Sequence, residues 1–417
     1  MFKLRPGRGI GASVFDPRNA RRSCSFYRNP GVDLASGRYN HSMSDTAQRA
    51  PLGGLSPASF LRRYWQRKAL LMRQAIPDFR GLVSRTRLFD LASRDDIESR
   101  LVVRDRSRWS LSTGPFRRSE LEALPPRRWT LLVQGVNLHL VAADALLRRF
   151  AFIPYARLDD LMVSYAAPGG GVGPHFDSYD VFLLQAEGRR RWRISSQRDL
   201  ALVPSLPLKI LKRFKPQEEW VLEPGDMLYL PPANAHDGLA IDVCITYSIG
   251  FRAPAAQELG IAFLDWLGDR LALEGRYSDA GRRPTAEPGR IDETMQARCA
   301  KMLACIRWDR DVAAQFLGCY LTEPKPHLFF SRPPRPLTRR DFASAMARRG
   351  VRLDARSQLL YDDRNAYING ETIALPADGA CAIMRLANER RIAAGTKLGK
   401  SSPLMYQWYC NGFIQLD

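Results

Sequence analysis

Lysine is almost missing from this chain of 417 residues: nine of its sixty-three basic residues are lysine and fifty-four are arginine. Acids are fewer, forty-three in all, and the net charge is +20. Charge of this kind leaves two readings open, a GC-rich coding sequence or a basic surface that attracts RNA or a nucleoprotein. No apolar run reaches the roughly 18 residues of a membrane-spanning helix, so no membrane partner is expected. The seven cysteines, Cys24, Cys244, Cys299, Cys305, Cys319, Cys381 and Cys410, form no C-x-x-C pair. Their odd number and apolar surroundings speak for free thiols in a reducing, cytoplasmic setting rather than a disulfide framework or zinc site. Histidine is equally scarce. Only His41, His139, His175, His236 and His327 are available to any imidazole chemistry.

Residues 1–42 carry eight basic and two acidic residues without apolar periodicity. They read as a disordered or over-extended N-terminal stretch, set apart from the fold as residues 1–45, with no secretory h-region. From Ser56 the chain becomes patterned. Ser56-Pro57 caps a helix bearing Phe60, Tyr64 and Trp65. A short helix is expected after Ser93, where Asp95, Asp96 and Glu98 suit a first turn. Short β-branched or aromatic segments follow at 129–136, 160–166, 180–188, 189–195, 218–232 and 242–251, and Glu187-Gly188 reads as a hairpin turn between two of them. Close strands without long intervening helices predict an α+β protein built on an antiparallel sandwich or barrel. Helices are expected at 258–273 and 292–306, then a proline-rich link at 325–338. The last unit reads as winged-helix-like: a helix near 338–349, strands at 358–362 and 366–369, a helix near 377–391, and a closing WYCNGFIQL strand.

Chemistry gathers around PGGGVGPHFDSYD and GDMLYLPPANAHDG. His175 and Asp177, two apart on a strand, would share a face, and His236 follows a second strand. Two imidazoles and a carboxylate on one face of an octahedral ion leave three adjacent positions open, the arrangement suited to non-haem Fe(II). An isolated H-x-D pair is weak evidence, because a loop histidine beside a capping Asp looks the same. The strands and Gly-rich turn around it supply the weight. Arg190 shares the inward face of its strand with Trp192 and Ile194. A guanidinium there needs a carboxylate, either a protein acid such as Glu187 or Glu223, or the distal carboxylate of 2-oxoglutarate.

The run LDDLMVSYAAPGGGVGPHFDSYDVFLLQAEGRRRWRI, with FLRRYWQRKALLMRQAIP upstream, resembles the bacterial ribosomal oxygenases of the JmjC family from about residue 46 to the C-terminus. That resemblance implies a double-stranded β-helix (a cupin-like barrel) at 46–252, a helical dimerisation region at 253–324 and a winged-helix-like unit at 325–417. It implies a 2-oxoglutarate-dependent dioxygenase with Fe(II) held by His175, Asp177 and His236. Arg190 and Ser164 would bind 2-oxoglutarate, and Tyr165, Tyr179 and Asp180 would receive the substrate. The implied reaction is hydroxylation of an arginyl β-carbon in a large-subunit ribosomal protein by a homodimer. Other readings are a JmjC-type hydroxylase of another protein or histidine residue, and a cupin isomerase, which would not need Arg190. A further one is a ribosome- or RNA-binding factor with a vestigial barrel, using Arg332, Arg335, Arg339, Arg340, Arg348 and Arg349 for direct RNA contact.

Overall fold

Alternation of apolar residues at period two organises the centre of the molecule, whose computed structural model describes residues 50–105 and 108–417. The expectations for residues 1–45, including His41 and Cys24, lie outside the described residues. The strands of the first part are β1 (Leu70–Met72), β2 (Ser99–Asp105), β3 (Arg108–Thr113), β4 (Trp129–Val133), β5 (Leu158–Ala166), β6 (Val181–Glu187), β7 (Arg190–Ser195), β8 (Glu218–Leu222), β9 (Met227–Leu230), β10 (Ala235–Ala240) and β11 (Cys244–Phe251). They form an antiparallel sheet in the order β1-β9-β6-β11-β5-β4-β2-β3 and a smaller one in the order β10-β7-β8.

Val181, Leu183, Leu228 and Leu230 of the large sheet meet Trp192, Ile194 and Leu222 of the small one in a shared core. Two sheets closed on each other in this way make the double-stranded β-helix. The alternate residues of the same strands, among them Phe182, Leu184 and Tyr229, face outward into a second core. It is covered by α1 (Pro57–Arg63), α2 (Arg85–Ala92), α3 (Arg118–Glu122) and α4 (Val141–Arg148) through Phe60, Phe89, Leu121 and Leu147. Strand β6 therefore has both faces covered, which explains the continuous apolar run VFLL at its start. Truncating a fully buried ring such as Phe182 to alanine costs about 3–5 kcal/mol.

Three local expectations change. Ser93 ends a helix instead of starting one: Ser84 is the N-cap of α2, accepting from Arg87 N, and Ser93 Oγ donates back to Phe89 O at 2.9 Å. The acids after it lie in a turn leading into β2, where Asp96 pairs with Arg94. Glu187-Gly188 is not a hairpin. β6 belongs to the large sheet and β7 to the small one, so the step is a corner between sheets. Gly188 takes φ +59° there, and a Cβ would collide with the Val243 carbonyl. Finally, the closing WYC is helical, and only Ile414–Leu416 forms a strand.

Beyond β11 come α5 (Ala256–Gly268), α6 (Glu293–Leu303) and α7 (Arg310–Thr322). A last unit follows with α8 (Arg339–Arg349), α9 (Ala380–Glu389) and α10 (Ser402–Cys410) around Phe342, Ile383, Leu386, Met405 and Trp408. Its two small sheets run β16-β12-β17 and β13-β14-β15, from β12 (Val351–Leu353), β13 (Leu359–Tyr361), β14 (Asn365–Ile368), β15 (Glu371–Ala374), β16 (Arg391–Ile392) and β17 (Ile414–Leu416). Buried Arg390 joins this unit to the barrel, donating to the carbonyls of Asp354 (2.9 Å) and Ser357 (3.1 Å) and pairing with Asp144 of α4 at 3.7 Å. No helix among the described residues is long and apolar enough to cross a membrane.

Candidate metal centre and cosubstrate pocket

The connection from β5 to β6 runs irregularly through the glycine-rich stretch 169–173 and lies against β10. Gly169 N donates to Ala240 O at 2.8 Å and Ala240 N to Gly170 O at 2.9 Å. His175 and Asp177 sit on this irregular segment and not on a strand, as their two-residue spacing had implied. One bridge sets them in place: His175 N donates to His236 O at 2.9 Å, and His236 N returns to His175 O at 2.7 Å. Asp177 is held from its main chain, where its carbonyl accepts from Ala233 N at 2.7 Å.

The three side chains converge. Their donor atoms all lie within 4.8 Å of one another, and His236 Nε2 stands 3.7 Å from Asp177 Oδ2. Each imidazole has Nδ1 against a carbonyl at 2.9 Å, His175 on Gly173 and His236 on Asn234. An Nδ1–H donated in this way leaves the Nε2 lone pair for a metal. Burial, then the neighbouring His175, pushes the His236 imidazole down to about 4, so it is neutral and able to ligate at neutral pH. Cis ligands on an octahedral ion stand ~3 Å apart, so this set fits a divalent ion with small side-chain adjustments.

Next to the triad a cavity of 540 Å³ opens between the sheets. Arg190, 3% exposed, projects into it from β7. Its partners are Ser164 Oγ (3.2 Å), Thr246 Oγ1 (3.3 Å) and Gly238 O (3.3 Å), and it lies over the Trp192 ring at 5.0 Å. Neither Glu187 nor Glu223 forms an ion pair with it, and its Nε is buried without an acceptor. Burial lowers the pKa of the guanidinium. A cation left this way costs several kcal/mol unless an anion joins it, and a dicarboxylate chelated at the metal end of the cavity would supply one. A Cβ on Gly238 would press on Trp192 and Arg190 Nε, so glycine keeps that space open.

Ser164 and Thr246 are register partners on β5 and β11. Thr246 was not singled out from sequence, although the alternation Thr246, Ser248, Gly250 along β11 marks a polar, small-residue face. Asp159, Asp160, Met162 and Gln134 also line the cavity and were missed. Of the three residues assigned to substrate, Tyr179 lines the cavity and is 39% exposed. Tyr165 does not: one position from Ser164, it faces the outer core, stacked on Trp129 at 5.4 Å. Asp180 is also structural. Fully buried, it accepts from Tyr229 Oη (2.6 Å) and Gln66 Nε2 (3.0 Å).

Comparison with known proteins places these features in a family. Residues 145–259 match the JmjC domain and residues 306–415 the ROXA-like winged helix, which takes in α7. The chain is 35% identical over 323 residues to the ribosomal protein uL16 3-hydroxylase of Escherichia coli, covering 76% of this chain and 85% of that protein. It is 29% identical over 198 residues to human ribosomal oxygenase 1, covering 44% of this chain and 30% of that protein. The structure of YcfD, a ribosomal oxygenase from Escherichia coli, in complex with cobalt and 2-oxoglutarate superposes with a TM-score of 0.74 at 30% identity, over 87% of this chain and 99% of that one. The chain belongs to the ribosomal oxygenases of the JmjC family.

Proposed function

We propose that this protein is an Fe(II)- and 2-oxoglutarate-dependent hydroxylase acting on the β-carbon of an arginine in a large-subunit ribosomal protein, a reaction of the cytoplasm. The observation that carries the reading is one cavity holding both the His175–Asp177–His236 set and the acceptor-poor guanidinium of Arg190. Bound there, iron and 2-oxoglutarate supply the oxidative chemistry, in which O₂ and the cosubstrate yield succinate, CO₂ and one hydroxyl group on the substrate carbon. Everything else falls to the protein. His175, Asp177 and His236 would hold the ion. Arg190, backed by Ser164 and Thr246, takes the distal carboxylate. Trp192, Leu183 and Met162 give the same cavity apolar wall beside its polar groups. Tyr179 and Asp160 at the same cavity offer an aromatic face and a carboxyl group to a substrate guanidinium, the local chemistry by which so basic a chain would receive a basic partner.

The test is incubation of the purified protein with Fe(II), 2-oxoglutarate and ribosomal protein sets, read by mass spectrometry. Gain of one oxygen on an arginine supports the reading. Gain on a histidine or on another protein moves it to the neighbouring reaction class, and succinate formation without any modified protein sinks it. For assembly, we propose a homodimer through residues 253–324. None of α6 is buried, and Ile261, Leu264, Leu273 and Ile291 are at least half exposed, more apolar surface than a lone helical region keeps in water. Direct RNA contact through the exposed arginines of 332–349 is a second proposal on partners. It predicts affinity for ribosomal RNA that falls steeply with salt.

A further inference from the structure

The catalytic cavity contains a second guanidinium that the reaction described so far leaves without a task. Arg100 reaches it from β2. In the strand register Arg100 stands opposite Leu132, Leu132 opposite Ser164, and Ser164 opposite Thr246. It therefore shares a row with the cosubstrate-binding hydroxyls, two strands or about 10 Å from Ser164. Arg190 meets the hydroxyl end of that row, and Arg100 stands at its other end. The Nε of Arg100 is buried and has no hydrogen-bond partner. Neighbouring acids are engaged elsewhere: the Glu98 carboxylate takes the side-chain amide of Gln134, and Asp159 pairs with Arg252 (3.5 Å) and Lys325 (3.7 Å). A buried N–H left unmade costs about 1–3 kcal/mol, which a bound acceptor would recover.

We infer that Arg100 is a substrate-positioning residue, donating to main-chain carbonyl oxygens of the bound protein segment while its charge turns the substrate arginine away from β2 toward Asp160. Resting on the function proposed above, the inference adds the means by which the substrate is oriented. Carbonyl oxygens are the acceptors that any peptide carries, including a basic one with few acids. Tyr179, Arg100 and Asp160 line the same cavity, and the phenol offers its ring to a side chain passing between the other two. Asp160 accepts from Gly135 N at 2.9 Å through Oδ2 alone, which leaves Oδ1 toward the Gly250 side of the cavity. Burial pushes the Asp160 carboxyl up, and an arriving guanidinium would favour its charged form, so a cation on one side and this carboxyl on the other select one direction for the substrate side chain.

The test compares wild type with Arg100→Gln and Arg100→Lys, iron- and 2-oxoglutarate-loaded, against a peptide spanning the arginine that wild type modifies. Peptide affinity is measured by fluorescence anisotropy without oxygen, and KM and kcat with it. Arg100→Gln should weaken peptide binding and raise the peptide KM about tenfold or more, with kcat changed far less. Arg100→Lys should recover part of the affinity. The 2-oxoglutarate KM should stay within about twofold in both. Unchanged peptide affinity in Arg100→Gln overturns the inference, and so does a raised 2-oxoglutarate requirement, which would assign Arg100 to the cosubstrate. Melting curves check that the variants fold, and the lysine variant keeps the test alive if glutamine does not. A wild type that modifies no arginine defeats the proposed function instead, so the two failures are distinct.

Discussion

Arg190 is fixed by two hydroxyls and a carbonyl, none of which neutralises it. Arg190→Ala should therefore raise the 2-oxoglutarate KM by about 10–100-fold, the loss of a charge-assisted pair, while metal affinity changes little. Arg190→Lys should recover only part, since an ammonium cannot form the bidentate fork. His175→Ala and Asp177→Ala should abolish succinate production and uptake of divalent ion, with melting temperature nearly unchanged. A fall of many degrees would make these residues structural instead. His139, in the loop before α4, is pushed down to about 4 by burial and then by Arg94. Its folded value lies below the ordinary 6.5, so the unfolded chain takes the proton first. Stability from this group is complete above about 6.5 and drains away as pH falls toward 4. Denaturation of His139→Gln followed across that window should show a shallower loss than wild type.

Elements were more legible in the sequence than their connections. The strands at 129, 160, 180 and 242 stood out because β-branched and aromatic residues are bounded by Gly, Pro and Asp, and each appears within a few residues of its expected ends. β1, β2, β3 and β10 were passed over, and His236, expected after a strand, lies on β10; β3 is an exposed edge whose composition, RWSLST, carries little apolar signal. Which strands pair is a long-range property, and Glu187-Gly188 shows the consequence: a turn signal is local, but whether it joins partners or crosses between sheets is not. The site followed the same division. That His175, Asp177 and His236 would converge and Arg190 turn inward was legible because such residues have few alternatives there. Tyr165 and Asp180 were misread because one position along a strand exchanges cavity for core. The reassigned cap gives a direct check. Ser84→Ala should lower stability by about 1 kcal/mol, and Ser93→Ala, at the far end of the same helix, by clearly less. Equal losses would contradict the assignment of Ser84 as cap.

On the scale of the whole molecule, the barrel, the helices after it and the winged-helix unit are joined by a few polar contacts. Arg252 at the end of β11 donates to Leu321 O at 2.7 Å in α7, and Tyr155 Oη donates to Asn388 O at 3.1 Å. The proposed homodimer makes a prediction at this scale. Leu264→Asp, on the exposed side of α5 at 61% exposure, should convert the particle to a monomer in light scattering. A wild type already monomeric at micromolar concentration would end that proposal.

The paired main-chain hydrogen bonds between His175 and His236 have one more consequence. They close the loop between the two ligands by backbone alone, so the socket is assembled before any ion arrives. Unlike a zinc finger, whose fold waits for its metal, this centre should be ready-made in stripped protein. Chelation should leave amide exchange at both positions slow, and reloading should raise the melting temperature only as far as ligand mass action requires.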